Sequence, residues 1–472
     1  MERFVGLLAA AMILLASGLG KAESNTDRAI PRFRDVSVHD PSVIRADDGL
    51  YYIFGSHMAA ARSADLISWD LISRDAGAGC TLVENVQEQM KEALAYAQTS
   101  TFWAPDVQQL QDGRYYMYYC TCRGDSPLSM LGLAVSDRPE GPYENKGVFL
   151  KSGYPGYNAA NLPNVVDPCT FFDRDGQLWM VYGSYSGGIY ILQMDGETGF
   201  PLPEQGYGKK LLGKNHARIE GPYILYSPET EYYYLFLSFG GLGANDGYNI
   251  RVCRSRNPDG PYEDALGQDM TKCGGQPGTF FHDVDYENYG VKLMGGYCFE
   301  KTEKDQNQFR LAYRSPGHNS AIYDPETGRY FLIFHTRFAN SGESFKVRVH
   351  QMMMNGDGWP VVLPQRYAGE MPDKVSPEAC AGEYKVILHG RDINTTEHSS
   401  CLVRLETDGT VHGDLEGKWE AGEGCTFICE LDGIRYNGVM TIALDSAENI
   451  WIPCFTALDA TGAAVWGSKV RE

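Results

Sequence analysis

Five stretches of the chain open alike, and each leads through a polar turn into an aromatic-rich apolar run. The openings are Asp40-Pro41-Ser42-Val43-Ile44, Ala104-Pro105-Asp106-Val107, Asp167-Pro168-Cys169-Thr170-Phe171, Glu220-Gly221-Pro222-Tyr223-Ile224 and His318-Asn319-Ser320-Ala321-Ile322. The turns carry Asp, Gly, Pro and Thr, and the runs that follow are LYYIFGS, RYYMYYC, QLWMVYGS, EYYYLFLS and RYFLIFH. A repeat of strand, tight turn and strand is the signature of a β-propeller blade. The chain is therefore expected to be all-β, with a five-bladed propeller over residues 30–365. The start of each repeat becomes an innermost strand whose first residue faces a shared central cavity. That arrangement gathers Asp40, Asp167, Glu220 and His318.

The openings at 220 and 318 are far apart, and the interval holds FFHDVDYENYGVKLMGGYCF at 280–299. This is assigned to outer strands and loops of the fourth blade. Helix is scarce. Val83 to Ala97 is the clearest candidate, with Val83, Val86, Met90, Leu94 and Ala97 on one stripe. It directly precedes Trp103 and is expected to buttress a loop at the cavity mouth. A Pro-bearing linker at 366–377 precedes a change of character. Residues 378–472 alternate apolar and polar residues between Gly turns, which predicts a small β-barrel or β-sandwich.

The formal net charge is −20. Phosphate binding needs clustered Lys and Arg, so nucleic acid and anionic lipid are disfavoured as partners, and a neutral partner fits better. Residues 1–22 read as a secretory signal peptide: Arg3, an apolar or small run from Phe4 to Leu19, then Gly20-Lys21-Ala22. The run is short for a membrane span, which needs roughly 20 residues. The cleaved chain is expected to be secreted, extracellular or periplasmic, without membrane attachment. Its 12 cysteines permit disulfides whose pairing sequence leaves open. Cys120 and Cys122 share one face of a strand and do not easily pair together. The absence of C-x-x-C argues against a zinc ribbon. Gly240-Gly241-Leu242-Gly243 lacks a following helix pattern, so it reads as a loop. Asp173-Arg174-Asp175-Gly176 reads as a hairpin turn. Asn394-Thr395-Thr396 is a glycosylation sequon, meaningful only in a eukaryotic secretory host.

An acid before Pro or Gly is ordinarily a turn or cap residue. Three at corresponding positions around one axis form a costly cluster unless used, because like charges held close raise each other's pKa. Glycosidic cleavage needs two such carboxyls with separated pKa values: one protonates the leaving oxygen, and the other attacks the sugar or activates water. In the second repeat, aligning Pro105 with Pro41 puts Ala104 on the axis, so Asp106 reads as structural. His318 reads from position alone as a core histidine, a metal ligand or a substrate contact.

The chain resembles glycoside hydrolases of family 43, and within them secreted bacterial endo-α-1,5-L-arabinanases. The resemblance is carried by VHDPSVI at 38–44, FWAPDV at 102–107, VVDPCTFFDRDGQLWMVYGSYSGGI at 165–189, RIEGPY at 218–223, HDV at 282–284, GHNSAIYDPETGRYFLIFHTRF at 317–338 and VRVHQMMMN at 347–355. It implies an inverting mechanism with Asp40 as general base and Glu220 as general acid. Asp167 would raise the pKa of Glu220 and orient it. His318 would hold one calcium ion in the central channel, mostly through waters. Substrate contacts would come from His39, Trp103, Asn164, the Ser184-Tyr185-Ser186 loop and Gly124, although Cys120-Thr121-Cys122-Arg123 departs from the small hydroxyl residues expected before Gly124. The implied activity is internal hydrolysis of α-1,5-linked arabinan, a neutral polysaccharide, by a monomer. The alternatives are an exo-arabinanase, α-L-arabinofuranosidase or β-xylosidase of the same family, or a sugar-binding propeller without turnover.

Overall fold

The structure, a computed structural model, describes residues 28–471 except 308 and 394. The signal read at 1–22 and Asn394 of the sequon lie outside the described residues. Five sheets stand in sequence order; in the first four the first strand lies at one edge, and in the fifth the corresponding strand is interior. The leading strands are Ser42–Arg45, Asp106–Gln109, Cys169–Phe172, Ile219–Ser227 and Leu311–Asp324. Two of the second strands, Tyr51–Gly55 and Tyr115–Cys122, are buried along their whole length, and the other three nearly so. Both faces of such a strand meet apolar neighbours, so the runs of Tyr, Phe, Ile and Met do not alternate with polar residues. In the first three blades Asp-Gly turns join first to second strands, with Gly113 and Gly176 at φ of 80° and 83°, where side-chain-bearing residues are strained.

The ring closes where the leading segment packs on the fifth blade. Val36 and Val38 share a core with Val43 and Ile53 of the first blade and with Phe331, Ile333 and Val349 of the fifth. The Val36 carbonyl accepts from the Val347 amide at 3.0 Å.

The expected helix forms as two short pieces, Val86–Gln89 and Lys91–Ala97, broken at Met90 (φ −109°, ψ 19°). The apolar stripe is nonetheless buried, because Val83, Val86, Met90 and Leu94 pack with Phe102 against Tyr52, Phe54 and Tyr119. The assignment of 280–299 to the fourth blade is corrected. Val291–Met294 is that blade's outer strand, but Tyr297–Phe299 pairs with Leu311–Tyr313 and joins the fifth sheet. Phe280 and Phe281 belong to neither and stand on the rim of a cleft. Strand pairing across sheets is non-local, so apolar content could not choose between the two blades.

The second β unit is a closed eight-stranded barrel in which Gly382–Leu388 pairs with Ala464–Lys469. Its Trp466, Ile387 and Leu458 share a core with Tyr297, Tyr313 and Leu363 of the propeller. His398–Ser399 adds a parallel strand beside Tyr297–Phe299. Two buried cations fasten the junction. Arg251 donates to the carbonyls of Tyr289 (2.8 Å) and Arg391 (2.6 Å), and Lys292 donates to those of His389 (2.9 Å) and Asp392 (2.7 Å). All twelve cysteines are free thiols; Cys120 and Cys122 both pack into the apolar core between the second and third blades.

Asp106 ties three blades together. It accepts from Ser42 Oγ of the first, and from the Thr170 amide (2.7 Å) and Thr170 Oγ1 (2.5 Å) of the third. Asp106→Ala strands these donors in a buried site and is expected to lower stability by about 3 kcal/mol, read as an earlier urea midpoint. An unchanged midpoint would show that the bonds are dispensable.

Candidate active site

The residues predicted to face the axis enter at a backbone kink. Asp40 and Asp167 (φ 55° and 57°) stand just before their inner strands, and His318 (φ 44°) kinks its own strand at a register shift. Left-handed backbone at a non-glycine residue costs on the order of 1–3 kcal/mol and persists where surrounding structure dictates it. Glu220 departs from the expected equivalence of the three acids. In its blade the left-handed residue is Gly221 (φ 57°), so the acid stands one residue earlier than Asp40 and Asp167. A register shift between Glu220 and Tyr223 absorbs the offset, and Glu220 becomes a wall of the cleft. Glycine gives room beside it: a Cβ on Gly221 would make a tight 3.1 Å contact with the His318 ring.

Asp40 sits among histidines. Its Oδ1 lies 2.7 Å from His39 Nδ1 and 3.1 Å from His318 Nδ1, and its Oδ2 accepts from Ser56 Oγ at 2.5 Å. Burial pushes its pKa up, but His318 and His39 outweigh burial and hold it well below the usual carboxylate range. Glu220 accepts from Ser184 Oγ (2.8 Å) and Tyr248 OH (2.9 Å). Burial raises its pKa in spite of His318 and these two bonds. Asp167 accepts a long bond from the Gly221 amide, 3.3 Å. Burial takes its pKa to about 7 against the pull of His318, with Glu220 and Asp40 adding to the rise. Burial thus favours the protonated form of both Asp167 and Glu220, while Asp40 stays ionised.

Burial disfavours charge on His318, but Asp40 and Asp167 raise its pKa to about 10. Its ring is then a cation among three carboxyls. His335 is the opposite: burial first, then His39, keep it neutral. Its Nδ1 accepts from the Asp40 amide at 3.2 Å, which leaves the proton on Nε2, where no hydrogen-bond partner stands.

The cleft has a volume of about 500 Å³. Trp103, Gly124, Asn164, Ser184, Tyr185, Ser186 and Glu220 line it, whereas buried Asp40 and Asp167 and the partly exposed His39 and His318 form the cluster joined to Glu220. Asn164 is largely committed within the protein, its Oδ1 accepting from Ser129 Oγ at 2.6 Å. A larger cavity of about 780 Å³ between Arg28 and Trp451 shares no residue with the cleft.

Sequence reasoning missed Ser56, Tyr248, His335 and the rim residues His216, Leu242, Phe280 and Phe281. Four of the five second-strand runs did carry a signal. Their last residues are Ser56, Ser184, Ser238 and His335, which bond respectively to Asp40 Oδ2, Glu220 Oε2, the His318 amide and the Asp40 amide. A polar residue ending an apolar run is thus the partner of an axial residue. Tyr248 has no such mark among 30 tyrosines.

As a metal site the cluster is rich in nitrogen. His39, Asp40 and His335 each bring one ligand atom within 4.8 Å of the others. Calcium prefers six to eight oxygens, so these side chains alone do not form a calcium cage. The inner strand and its partner do leave buried polar atoms without partners: Asn319 Oδ1 and Nδ2, Ser320 Oγ and His335 Nε2. Such atoms fit ordered water or a hydrated ion.

The profile of glycosyl hydrolases family 43 matches residues 33–360, and that of a C-terminal lipocalin-like domain matches 364–467. The extracellular endo-α-(1→5)-L-arabinanase 2 of Bacillus subtilis is 54% identical over 446 residues, 93% of this chain and 94% of the relative. The extracellular endo-α-(1→5)-L-arabinanase of Thermotoga petrophila is 46% identical over 458 residues, 94% and 95% of the two chains. A crystal structure of a family 43 glycoside hydrolase from Bacillus licheniformis superposes with a TM-score of 0.91 at 54% identity, covering 94% of this chain and all of the other.

Proposed function

The chain belongs to glycosyl hydrolases family 43, and we propose that it is an extracellular endo-hydrolase of α-1,5-linked L-arabinan. The observation that carries the reading is the buried carboxyl cluster. One acid is held ionised and two are pushed toward their protonated forms, and the cluster opens through Glu220 onto a cleft with Trp103 on its wall. Two carboxyls with separated protonation states are the requirement for glycosidic cleavage. The extracellular arabinanases from B. subtilis and T. petrophila, similar over nearly their full lengths, name the substrate and the location. No helix among the described residues is long and apolar enough to cross a membrane.

In this mechanism Asp40 takes a proton from water, and Glu220 gives one to the leaving glycosidic oxygen. Asp167 keeps Glu220 protonated by placing a second carboxyl beside it. The His318 ring touches Asp40 on one side and abuts Gly221 on the other. Inversion, in which the base activates a water on the face of the sugar opposite the acid, is the proposed course. His39, Trp103, Gly124, Asn164 and Ser184–Ser186 are the proposed substrate contacts.

A calcium ion held by His318, mostly through waters, remains part of the proposal. Its chemistry would be positive charge close to the acids. In its absence protonated His318 supplies such charge itself, and binding through a ring nitrogen requires that proton to leave. Elemental analysis is expected to find about one calcium per chain. Exhaustive chelation should lower turnover without unfolding the barrel, with recovery on adding calcium. Full activity in protein shown to be metal-free would remove the ion from the mechanism.

The function itself is tested by product analysis on linear, debranched α-1,5-arabinan. A rapid fall in polymer size with mixed short oligosaccharides is expected. Steady release of one small product from a slowly shortening polymer would instead mean an exo enzyme, and no products would refute the arabinan reading.

A further inference from the structure

Three large apolar side chains are exposed together on one rim of the cleft: Phe280 (64% exposed), Phe281 (45%) and Leu242 (42%). Isolated exposed apolar residues are ordinary, but a cluster continuous with a functional cleft marks a binding surface. The two rings are not loose. The His216 ring stacks on Phe280 at 4.1 Å and 26°, and Phe281 meets Tyr185 edge-on at 5.4 Å. Burial lowers the pKa of His216, so the stack is uncharged.

The loop that carries them is clamped to the strand of Glu220. Arg218 Nε donates to Asp283 Oδ1 at 3.1 Å, the Arg218 amide donates to Tyr286 OH at 2.8 Å, and Tyr286 OH donates to Asp283 Oδ1 at 2.5 Å. Within the loop the Gln276 amide donates to Asp285 Oδ2 at 3.1 Å. Phe281 is held in left-handed backbone (φ 55°), a strain of about 1–3 kcal/mol that is sustained where a side chain must be aimed. Rigid aromatic faces of this kind bind without losing side-chain freedom.

We propose that Phe280, backed by His216 and flanked by Phe281, is an outer sugar subsite. It would stack on the C–H face of an arabinofuranosyl unit beyond the bond being cut. The occupant is a neutral sugar ring because the platform offers apolar area and no charge, and because it is continuous with the wall that bears Glu220. This inference rests on the arabinan reading. It assigns to the platform the retention of long chains, which an enzyme cutting internally requires and one cutting only the shortest substrates does not.

The test compares wild type, Phe280→Ala, Phe280→Trp and the Phe280→Ala/Phe281→Ala double variant on linear α-1,5-arabinan and on the shortest oligosaccharide the wild type cleaves. The double variant should raise KM for the polymer about 10-fold, equal to about 1.4 kcal/mol. The change should fall on KM and not on kcat, and KM for the short substrate should stay put. Phe280→Trp keeps a stacking face and should retain polymer KM. Unchanged polymer KM in the double variant, or equal losses on both substrates, would overturn the subsite while leaving the arabinanase reading intact. A wild type that cleaves no arabinan would overturn both.

Discussion

Glu220→Gln is expected to cut linear arabinan roughly 10²–10⁴-fold more slowly than wild type while folding normally. The amide is nearly isosteric and still accepts from Tyr248, which bonds Glu220 Oε1 at 2.9 Å. What it lacks is a proton to give. The deficit should therefore depend on the leaving group: an aryl arabinofuranoside that departs without protonation should recover much of the rate. The wild-type enzyme should lose activity as pH rises through the titration of the Asp167–Glu220 pair. Burial holds both pKa values up, with Asp167 at about 7, and deprotonation removes the acid. A folded Glu220→Gln protein with near-wild-type turnover on arabinan would end this assignment.

Asp40→Asn is expected to lose a comparable roughly 10²–10⁴-fold, with a different signature. A better leaving group does not replace a base that activates water, so aryl arabinosides should show the deficit as fully as the polymer does. The change also removes the negative charge that does most to keep His318 protonated. The amide oxygen of the variant can still accept from Ser56, which bonds Asp40 Oδ2 at 2.5 Å, so the fold should survive. Circular dichroism together with both substrates separates the cases. Rate recovery on the activated substrate would show that residue 40 is not the base.

The candidate site was legible in sequence to the extent that it follows the repeat. Asp40, Asp167 and His318 each head one of the repeated openings, so a shared axis could be read from their positions. Asp106, displaced from that position, could be set aside as structural, and its bonds to Ser42 and Thr170 join neighbouring blades. Ser56, Ser184, Ser238 and His335 were equally marked by ending the apolar runs. The offset of Glu220 was written in the sequence but not read there: aligning Pro222 with Pro41, as Pro105 was aligned, puts Gly221 on the axis and Glu220 one residue before it. The bulge that decides between them is set by pairing with Ser238 and Phe236 on the next strand.

Sequence by itself determined the repeating strand, the turn that follows it and the chemistry brought to the axis. Each depends on contacts within a few residues: aromatic β-formers, Asp-Gly turns, an acid beside a proline. Tertiary structure alone decided that Tyr297–Phe299 crosses to the fifth blade, that the second unit closes as a barrel and that Phe280 stands in the open beside the cleft. It also decided which acid is ionised. Protonation follows burial and the distance to His39 and His318, and those depend on how five blades close into a ring.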